Sequence, residues 1–478
     1  MSETRLLVVG AGSAGRMAVR EMGSHPESGY VPVAFIDDDT TLHGTNVEGI
    51  AVLGGREAIP EAVKTHRVDE ILIALPSVHG GVIRDIVGTC QTLRIRFRIV
   101  PGIWEIIRGD VQIEQIRNVE PEDLLGRESI VAESELLKTA YTGKRILVTG
   151  AGGSIGRELA RQALLQKPEQ LVLLGRGENS LFESEVELRA AAEGSKVELA
   201  LVDIKQPDAV ARIFDRIKPH VVLHAAAHKH VTFMEEYPEE AILNNVVATT
   251  ELVDLCEKVD VERFVMLSTD KAVNPRSVMG ASKRVAELVL LDRAAKKTKT
   301  RFMAVRFGNV LGSRGSVVPL FLKQIQRGGP VTVSHQDVER YFMTVKEAAL
   351  LVMHAGALGD GGEIFILDMG DQIKILDLAN DLITLSGFRP GVDIDVVVVG
   401  LKSGEKLREE LVHDFETLGD TSIDKIQVGK TSHEIPSDFG DHIARLSKAA
   451  AVADRVEIRK ALVDLIPEAE LPDEPSGA

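Results

Sequence analysis

The stretch Arg145-Ile-Leu-Val-Thr149-Gly150-Ala-Gly152-Gly153-Ser154-Ile155-Gly156-Arg157 decides the fold. Its short run of β-branched and aliphatic residues reads as a strand buried on both faces. The glycines that follow form a turn where the backbone can approach a pyrophosphate, and the helix beyond aims its N-terminus at the phosphates. The same grammar opens the chain, in Leu6-Leu-Val-Val-Gly10-Ala-Gly12-Ser-Ala-Gly15-Arg16. Each turn therefore starts its own α/β domain, a Rossmann-like doubly wound parallel sheet.

Working outward, the first domain spans 1–125, with strand-like runs at 31–36, 70–75 and 96–100. A helical connector is predicted over 126–143, and a catalytic domain over 144–430. Strands of that domain are expected at 145–149, 170–174, 197–202, 220–224, 263–268 and 302–306, alternating with helices. From about residue 310 the rhythm loosens into a smaller substrate lobe over the strand ends, where open α/β sheets bind ligands. Residues 431–478 read as helices and an acidic tail, disordered from Pro467 onward.

With 56 Lys+Arg against 72 Asp+Glu, the 478-residue chain carries a formal charge of −16. Only 14 Phe, 4 Tyr and 1 Trp are available for base stacking, so a dedicated nucleic-acid binder is excluded. Two cysteines, Cys90 and Cys256, exclude a disulfide framework and fit a reducing, cytoplasmic setting. The N-terminus has no signal-peptide pattern, and no window approaches the roughly 18 to 20 apolar residues of a membrane span. A cytoplasmic protein with no integral membrane segment is expected.

The first turn fits GxGxxG, and Asp37-Asp38-Asp39 stands where a ribose-binding carboxylate is expected. A dinucleotide site and a Rossmann-shaped domain whose ligand has been lost or changed are equally open readings of it. The second turn has the spacing TGxxGxxG through Thr149, Gly150, Gly153 and Gly156. It resembles the extended branch of the short-chain dehydrogenase/reductase superfamily. That resemblance implies a nicotinamide cofactor, with Gly150, Gly153, Ser154, Ile155 and Gly156 at the pyrophosphate and Asp203 and Ile204 at the adenine. Ala225 and Ala226 fall beside the nicotinamide ribose, and Lys229, Asn245 and Val310 complete the set. After the second strand, Arg176 suits the 2′-phosphate of NADP, whereas Glu178, beside Asn179, suits the free hydroxyl of NAD. NAD is expected, with NADP the alternative.

The chemistry rests on Ser268-Thr269-Asp270-Lys271 and the following Val278-Met279-Gly280-Ala281-Ser282-Lys283. In the superfamily a Tyr and a Lys four residues apart share one helical face. Here the Lys is Lys283, but the Tyr position holds Met279, whose thioether neither gives nor takes a proton. Asp270 and Lys271 stand at the strand end instead. Thr-Asp-Lys at this point, with His228-Lys229-His230-Val231 and the segments 306–319 and 400–407, resembles the nucleotide-sugar 4,6-dehydratases and epimerases of capsular-type polysaccharide biosynthesis.

The resemblance implies a hydro-lyase acting on UDP-N-acetylglucosamine, retaining at C5, that makes a UDP-4-keto-6-deoxy sugar for surface glycans. Asp270 is its implied acid toward the C6 hydroxyl, and Lys271, with a lowered pKa, its C5 base. Thr269 would bond O4, and Lys283 the nicotinamide ribose. Met279, Asn309, Arg314, Gly315, Ser316, Pro319, Thr332, Lys402 and Glu405 are the implied substrate contacts. Arg314, Arg340, Lys402 and Lys406 either serve the nucleotide diphosphate or are solvated surface charges. A 4-epimerase is the alternative enzyme, but it normally relies on the Tyr. A non-catalytic nucleotide sensor would be expected to lose Asp270, Lys271 or Lys283. His224, His228 and His230 read as packing around the cofactor loop, so no metal is predicted. A homo-oligomer is expected, as is usual for the superfamily.

Overall fold

The computed structural model describes residues 3–75, 78, 80–100, 117, 119–125, 134–192, 194–431 and 435–472. Two compact units emerge: Met1–Ile130 with Leu320–Thr332 and Asp377–Val397, and Val131–Pro319 with Val333–Leu376 and Val398–Ala478.

In the first unit, β1 (Thr4–Val9), β2 (Tyr30–Ile36), β3 (Glu70–Ile73) and β4 (Arg96–Ile99) form a parallel sheet in the order β2-β1-β3-β4. Side chains alternate across a strand, so Leu6 and Val8 join the core of α1 (Ser13–Ser24), while Leu7 and Val9 join that of α2 (Gly80–Thr92). Gly10 sits between β1 and β3 with φ +110°, and a Cβ there would lie 2.4 Å from the Ala74 carbonyl oxygen. Asp37, expected at a ribose, accepts instead from Ala11 N (2.7 Å) and Asp39 N (2.9 Å), so its carboxylate is committed to the backbone around the turn. The segments 320–332 and 377–397, expected within one continuous catalytic domain, pack with this first unit. Leu385 packs against its core, and Asp381 lies 3.1 Å from Arg84.

In the second unit the predicted strands appear as β5 (Arg145–Thr149), β6 (Gln170–Gly175), β7 (Lys196–Leu201), β8 (Val221–His224), β9 (Arg263–Leu267) and β10 (Arg301–Arg306). They are joined by β11 (Glu363–Leu367), β12 (Glu416–Asp420) and β13 (Ile426–Thr431). The nine-stranded order is β12-β13-β11-β10-β9-β8-β5-β6-β7, parallel except that β13 runs antiparallel to both its neighbours, β11 and β12. Chain direction around the sheet reverses between β5 and β8, which opens a ligand crevice there.

Two helices frame the site. The first, α3 (Ser154–Leu165), follows the glycine turn. The second, α4 (Val278–Ala295), starts where the Ser277 hydroxyl accepts from Gly280 N (3.1 Å) and Glu235 accepts from Val278 N (2.6 Å). The first thirteen residues of α4 are buried between the sheet and the C-terminal helices.

The tail expected to be disordered is docked as far as it is described. Glu470 N donates to Pro275 O (2.9 Å), Arg276 pairs with Glu470 (2.9 Å), and Ala469 is buried in the main core. Acidic side chains there meet arginines, which offsets the charge density that composition alone reads as disorder. Of the predicted connector, Glu135–Tyr141 is a helix; 126–133, like the last residues 473–478, lie outside the described set. Among the described residues no helix is long and apolar enough to cross a membrane.

Candidate active site

The crevice between β5 and β8 is shaped by glycine. Gly150 has φ +66°, and a Cβ there would stand 2.8 Å from the Ala225 and Ala226 backbone; one on Gly156 would meet Gly150 O at 2.2 Å. Below the turn, the Thr149 hydroxyl bonds His224 Nδ1 (2.7 Å), and His224 Nε2 bonds Thr249 (3.1 Å). Burial, with Lys283 adding to it, pulls the His224 pKa down to about 3, so this imidazole is neutral scaffolding.

The crevice encloses about 340 Å³ and brings together Gly150, Gly153, Arg176, Asp203, Ile204, Ala225 and Ala226. His228, expected to pack around the cofactor loop, also lines it, as do Gly175, Ser180, Val202 and Asn244, which were not anticipated because they belong to no motif of the turn. Arg176 Nη1 lies 3.6 Å from Asp203. Glu178 and Asn179 open the next helix, exposed to solvent. Ser154 and Ile155 form the first turn of α3, and Val310 is buried. Lys229 donates to Ser313 (3.4 Å). Asn245 acts as a brace: it accepts from His228 N (2.8 Å) and donates to His228 O (3.1 Å) and the Ser282 hydroxyl (3.0 Å). It thereby ties the end of β8 to α4.

At the end of β9 the four expected catalytic residues differ sharply in environment. Asp270 is fully buried, with Oδ1 accepting from the Thr269 hydroxyl (2.9 Å) and Lys271 Nζ (3.0 Å), while Oδ2 has no hydrogen-bond partner among the described residues. Burial raises its pKa, and neighbouring Glu409 adds to the rise against the pull of Lys271. Lys271 Nζ also donates to Asn309 Oδ1 (3.2 Å) and pairs with Glu409 (3.1 Å). Burial alone would lower the Lys271 pKa, but Asp270 and Glu409 outweigh it and raise it. This corrects the expectation of a lysine base with a depressed pKa: two carboxylates hold the ammonium charged. Lys283 behaves in the opposite way. Buried, and favoured only by Glu287, its pKa falls to about 8.

Met279 lies one turn before Lys283, packed into the main apolar core. Asn309 reaches Lys271, as described above. Arg314 is placed on the crevice rim, where its backbone N donates to Ser154 (3.0 Å) and its guanidinium pairs with Glu183. Gly315 packs under His230, and Ser316 and Pro319 flank the start of the helix Val317–Gln326. Thr332 falls in the first unit, bonded to Gln324 (2.8 Å). Lys402 is exposed, and Glu405 accepts from Ser334 (2.8 Å) and pairs with Arg340 (3.3 Å). Arg340 and Lys406 are neither solvated nor free for a diphosphate. Arg340 donates to Glu339 O (2.7 Å) and Lys406 O (2.8 Å), and Lys406 to Val273 O (2.8 Å), so buried carbonyls occupy both cations.

A buried charge cluster, which the motifs do not reveal, backs the site. Glu287 on α4 accepts from Ser268 (2.6 Å) and Arg306 (2.7 Å), and Arg306 also grips Glu416 (2.8 Å). Arg284 joins through Glu287 (3.1 Å). Although burial would raise the Glu287 pKa, the arginines hold it at about 2. Among the described residues no cluster of His, Cys, Asp or Glu is placed to hold a metal.

Comparison with known proteins follows the same division. A CoA-binding domain model matches residues 2–101, and a polysaccharide biosynthesis protein model matches 146–431. The probable polysaccharide biosynthesis protein EpsC of Bacillus subtilis is 44% identical over 430 residues, covering 90% of this chain and 72% of that protein. A UDP-N-acetylglucosamine 4,6-dehydratase (inverting) of Campylobacter jejuni is 30% identical over 276 residues, 57% of this chain and 78% of that one. The X-ray structure of Pen from Bacillus thuringiensis aligns with a TM-score of 0.57 at 32% identity, covering 62% of this chain and 89% of that one. The 146–431 match takes in more than half of the sequence, and the chain belongs to the polysaccharide biosynthesis protein family.

Proposed function

We propose that the protein is a nucleotide-sugar 4,6-dehydratase acting on UDP-N-acetylglucosamine, a hydro-lyase supplying surface-glycan synthesis. The observation that carries this reading is the hydrogen-bonded pair Asp270–Lys271 at the end of β9, with Met279 replacing the phenol. An epimerase needs one proton carrier at O4; dehydration needs two more, at C5 and C6. Similarity to the Campylobacter dehydratase supports the nucleotide-sugar substrate.

The crevice fits a nicotinamide dinucleotide, because Gly150 and Gly156 let the turn close tightly on the Ala225–Ala226 backbone and on its own carbonyl, where Cβ atoms would clash, and the crevice opens beside that turn. Gly150, Gly153, Asp203, Ile204 and Ala226 would hold it, and when bound it supplies hydride acceptance at C4 and return at C6. NAD is favoured over NADP, since Arg176, the group suited to a 2′-phosphate, leans toward Asp203. Lys283 would bond the ribose.

One proton moving along the 3.0 Å Lys271–Asp270 hydrogen bond turns the ion pair into a neutral amine and a carboxylic acid. Burial of Asp270 favours that exchange. The amine can then take the C5 proton while Asp270 protonates the departing C6 oxygen, which leaves as water. The proton that O4 releases on oxidation passes through the Thr269 hydroxyl to solvent, and after C6 is reduced Lys271 returns its proton to C5 and the pair is reprotonated from solvent. Thr269 orients Asp270 and O4. A homo-oligomeric, cytoplasmic enzyme retaining configuration at C5 belongs to the same reading.

Incubation with UDP-N-acetylglucosamine in D₂O, followed by proton NMR, tests it. A C6 methyl signal with deuterium at C5 is expected, and the ring couplings report retention. A galacto product without a methyl would establish epimerisation instead. No change in any nucleotide sugar would leave the sensor.

A further inference from the structure

We propose that Glu409 is a positioning residue for the Asp270–Lys271 pair, its carboxylate taking the remaining N–H of the Lys271 ammonium and thereby governing where that nitrogen stands and when it releases its proton. The proposal rests on the dehydratase reading above. A lysine ammonium has three N–H donors. Two of them go to Asp270 Oδ1 (3.0 Å) and Asn309 Oδ1 (3.2 Å), and Glu409 Oε1 stands 3.1 Å from the same nitrogen as an ion pair, within reach of the third. No donor is left to swing, so the nitrogen is held from three directions.

Two carboxylates share this single ammonium, both are buried, and each keeps one oxygen without a hydrogen-bond partner among the described residues: Asp270 Oδ2 and Glu409 Oε2. Unpartnered buried carboxylate oxygens are costly, and they are better explained as a poised proton-transfer site than as scaffolding. The charges around the trio break its symmetry. Arg340 Nε stands 3.6 Å from Glu409 Oε1, and Lys406 faces Glu409 while bonding Val273 O and lying 3.5 Å from Glu410. Asp270 receives only Lys271 and the neutral Thr269 hydroxyl. Glu409 therefore stays ionised, and the mobile proton exchanges with Asp270.

The experiment uses full-length wild type, Glu409→Gln and Glu409→Asp. Trace labelling with acetic anhydride across pH, read at Lys271 by mass spectrometry, needs no substrate. Without the Glu409 carboxylate, the labelling midpoint of Lys271 should fall by about one pH unit or more in Glu409→Gln. Glu409→Asp, which withdraws the carboxylate by one methylene, should shift it by an intermediate amount and serves if the Gln variant fails to fold. In turnover, Glu409→Gln should lose about tenfold or more in kcat with KM within about twofold. The alkaline limb, where the shared proton is lost, should move down with the labelling midpoint. An unchanged Lys271 midpoint in both variants overturns the role of Glu409. A wild-type protein that transforms no nucleotide sugar overturns the dehydratase reading, and the labelling result then stands alone for Glu409.

Discussion

The acid role proposed for Asp270 rests on where it sits rather than on what surrounds it in sequence. Thr269-Asp270-Lys271 is visible in one line of text, but the burial that raises the Asp270 pKa is not, because it depends on the backbone at Gly308 closing over it. A Cβ at Gly308 would come 3.1 Å from Asp270 Oδ2. Replacing Asp270 by Asn should leave folding intact and cut turnover by about a hundredfold or more, measured as release of the 4-keto product. Full turnover in that variant would remove Asp270 from the mechanism. Lys271 shows the opposite limit of sequence reading. Its partner Glu409 is far along the chain, and Glu405, the acidic residue singled out in the same segment, bonds Ser334 and Arg340 instead.

At the scale of elements, the first thirteen residues of α4 are buried on every face and nonetheless include Lys283, Arg284 and Glu287. The helix is tolerated there because each charge on its inner face except Lys283 meets an opposite charge from β10 or the start of β12. Removing Arg306 leaves two buried carboxylates, Glu287 and Glu416, to share Arg284 within ion-pair distance. Arg306→Met should therefore destabilise the protein by about 3–5 kcal/mol in urea melts, whereas losing an exposed pair costs well under 1 kcal/mol. A loss under about 1 kcal/mol would show that the cluster is not a structural keystone. The strands and both glycine turns were legible from hydrophobic runs and turn spacing, since those are local properties. The antiparallel strands β12 and β13 were not, because a strand's neighbour is set by sheet closure and not by its own residues.

For the molecule as a whole, acid sensitivity follows from its buried neutral histidines. Burial holds His224 and His413 at about 3, against 6.5 for an ordinary imidazole. The unfolded chain binds more protons in that window, so their contribution to stability is complete above pH 6.5 and drains away as pH falls toward 3. Glu287, at about 2 against 4.5, adds a second loss that begins below pH 4.5. The Tm should therefore decline from about pH 6.5 downward, and His413→Asn should flatten the upper part of that decline. A Tm that stays level between pH 8 and 5 would contradict this assignment. Sequence by itself determined two Rossmann-like domains, their glycine turns and the Asp270–Lys271 pair at a strand end, because glycine spacing and apolar runs act over a few neighbouring residues. Only the tertiary structure decided which charges are buried together. It placed Glu409 on Lys271, Asp37 on its own glycine turn, Arg340 and Lys406 on carbonyls, and the acidic tail on arginines. Such pairings join residues distant along the chain, and their energies depend on the exclusion of water that packing alone provides.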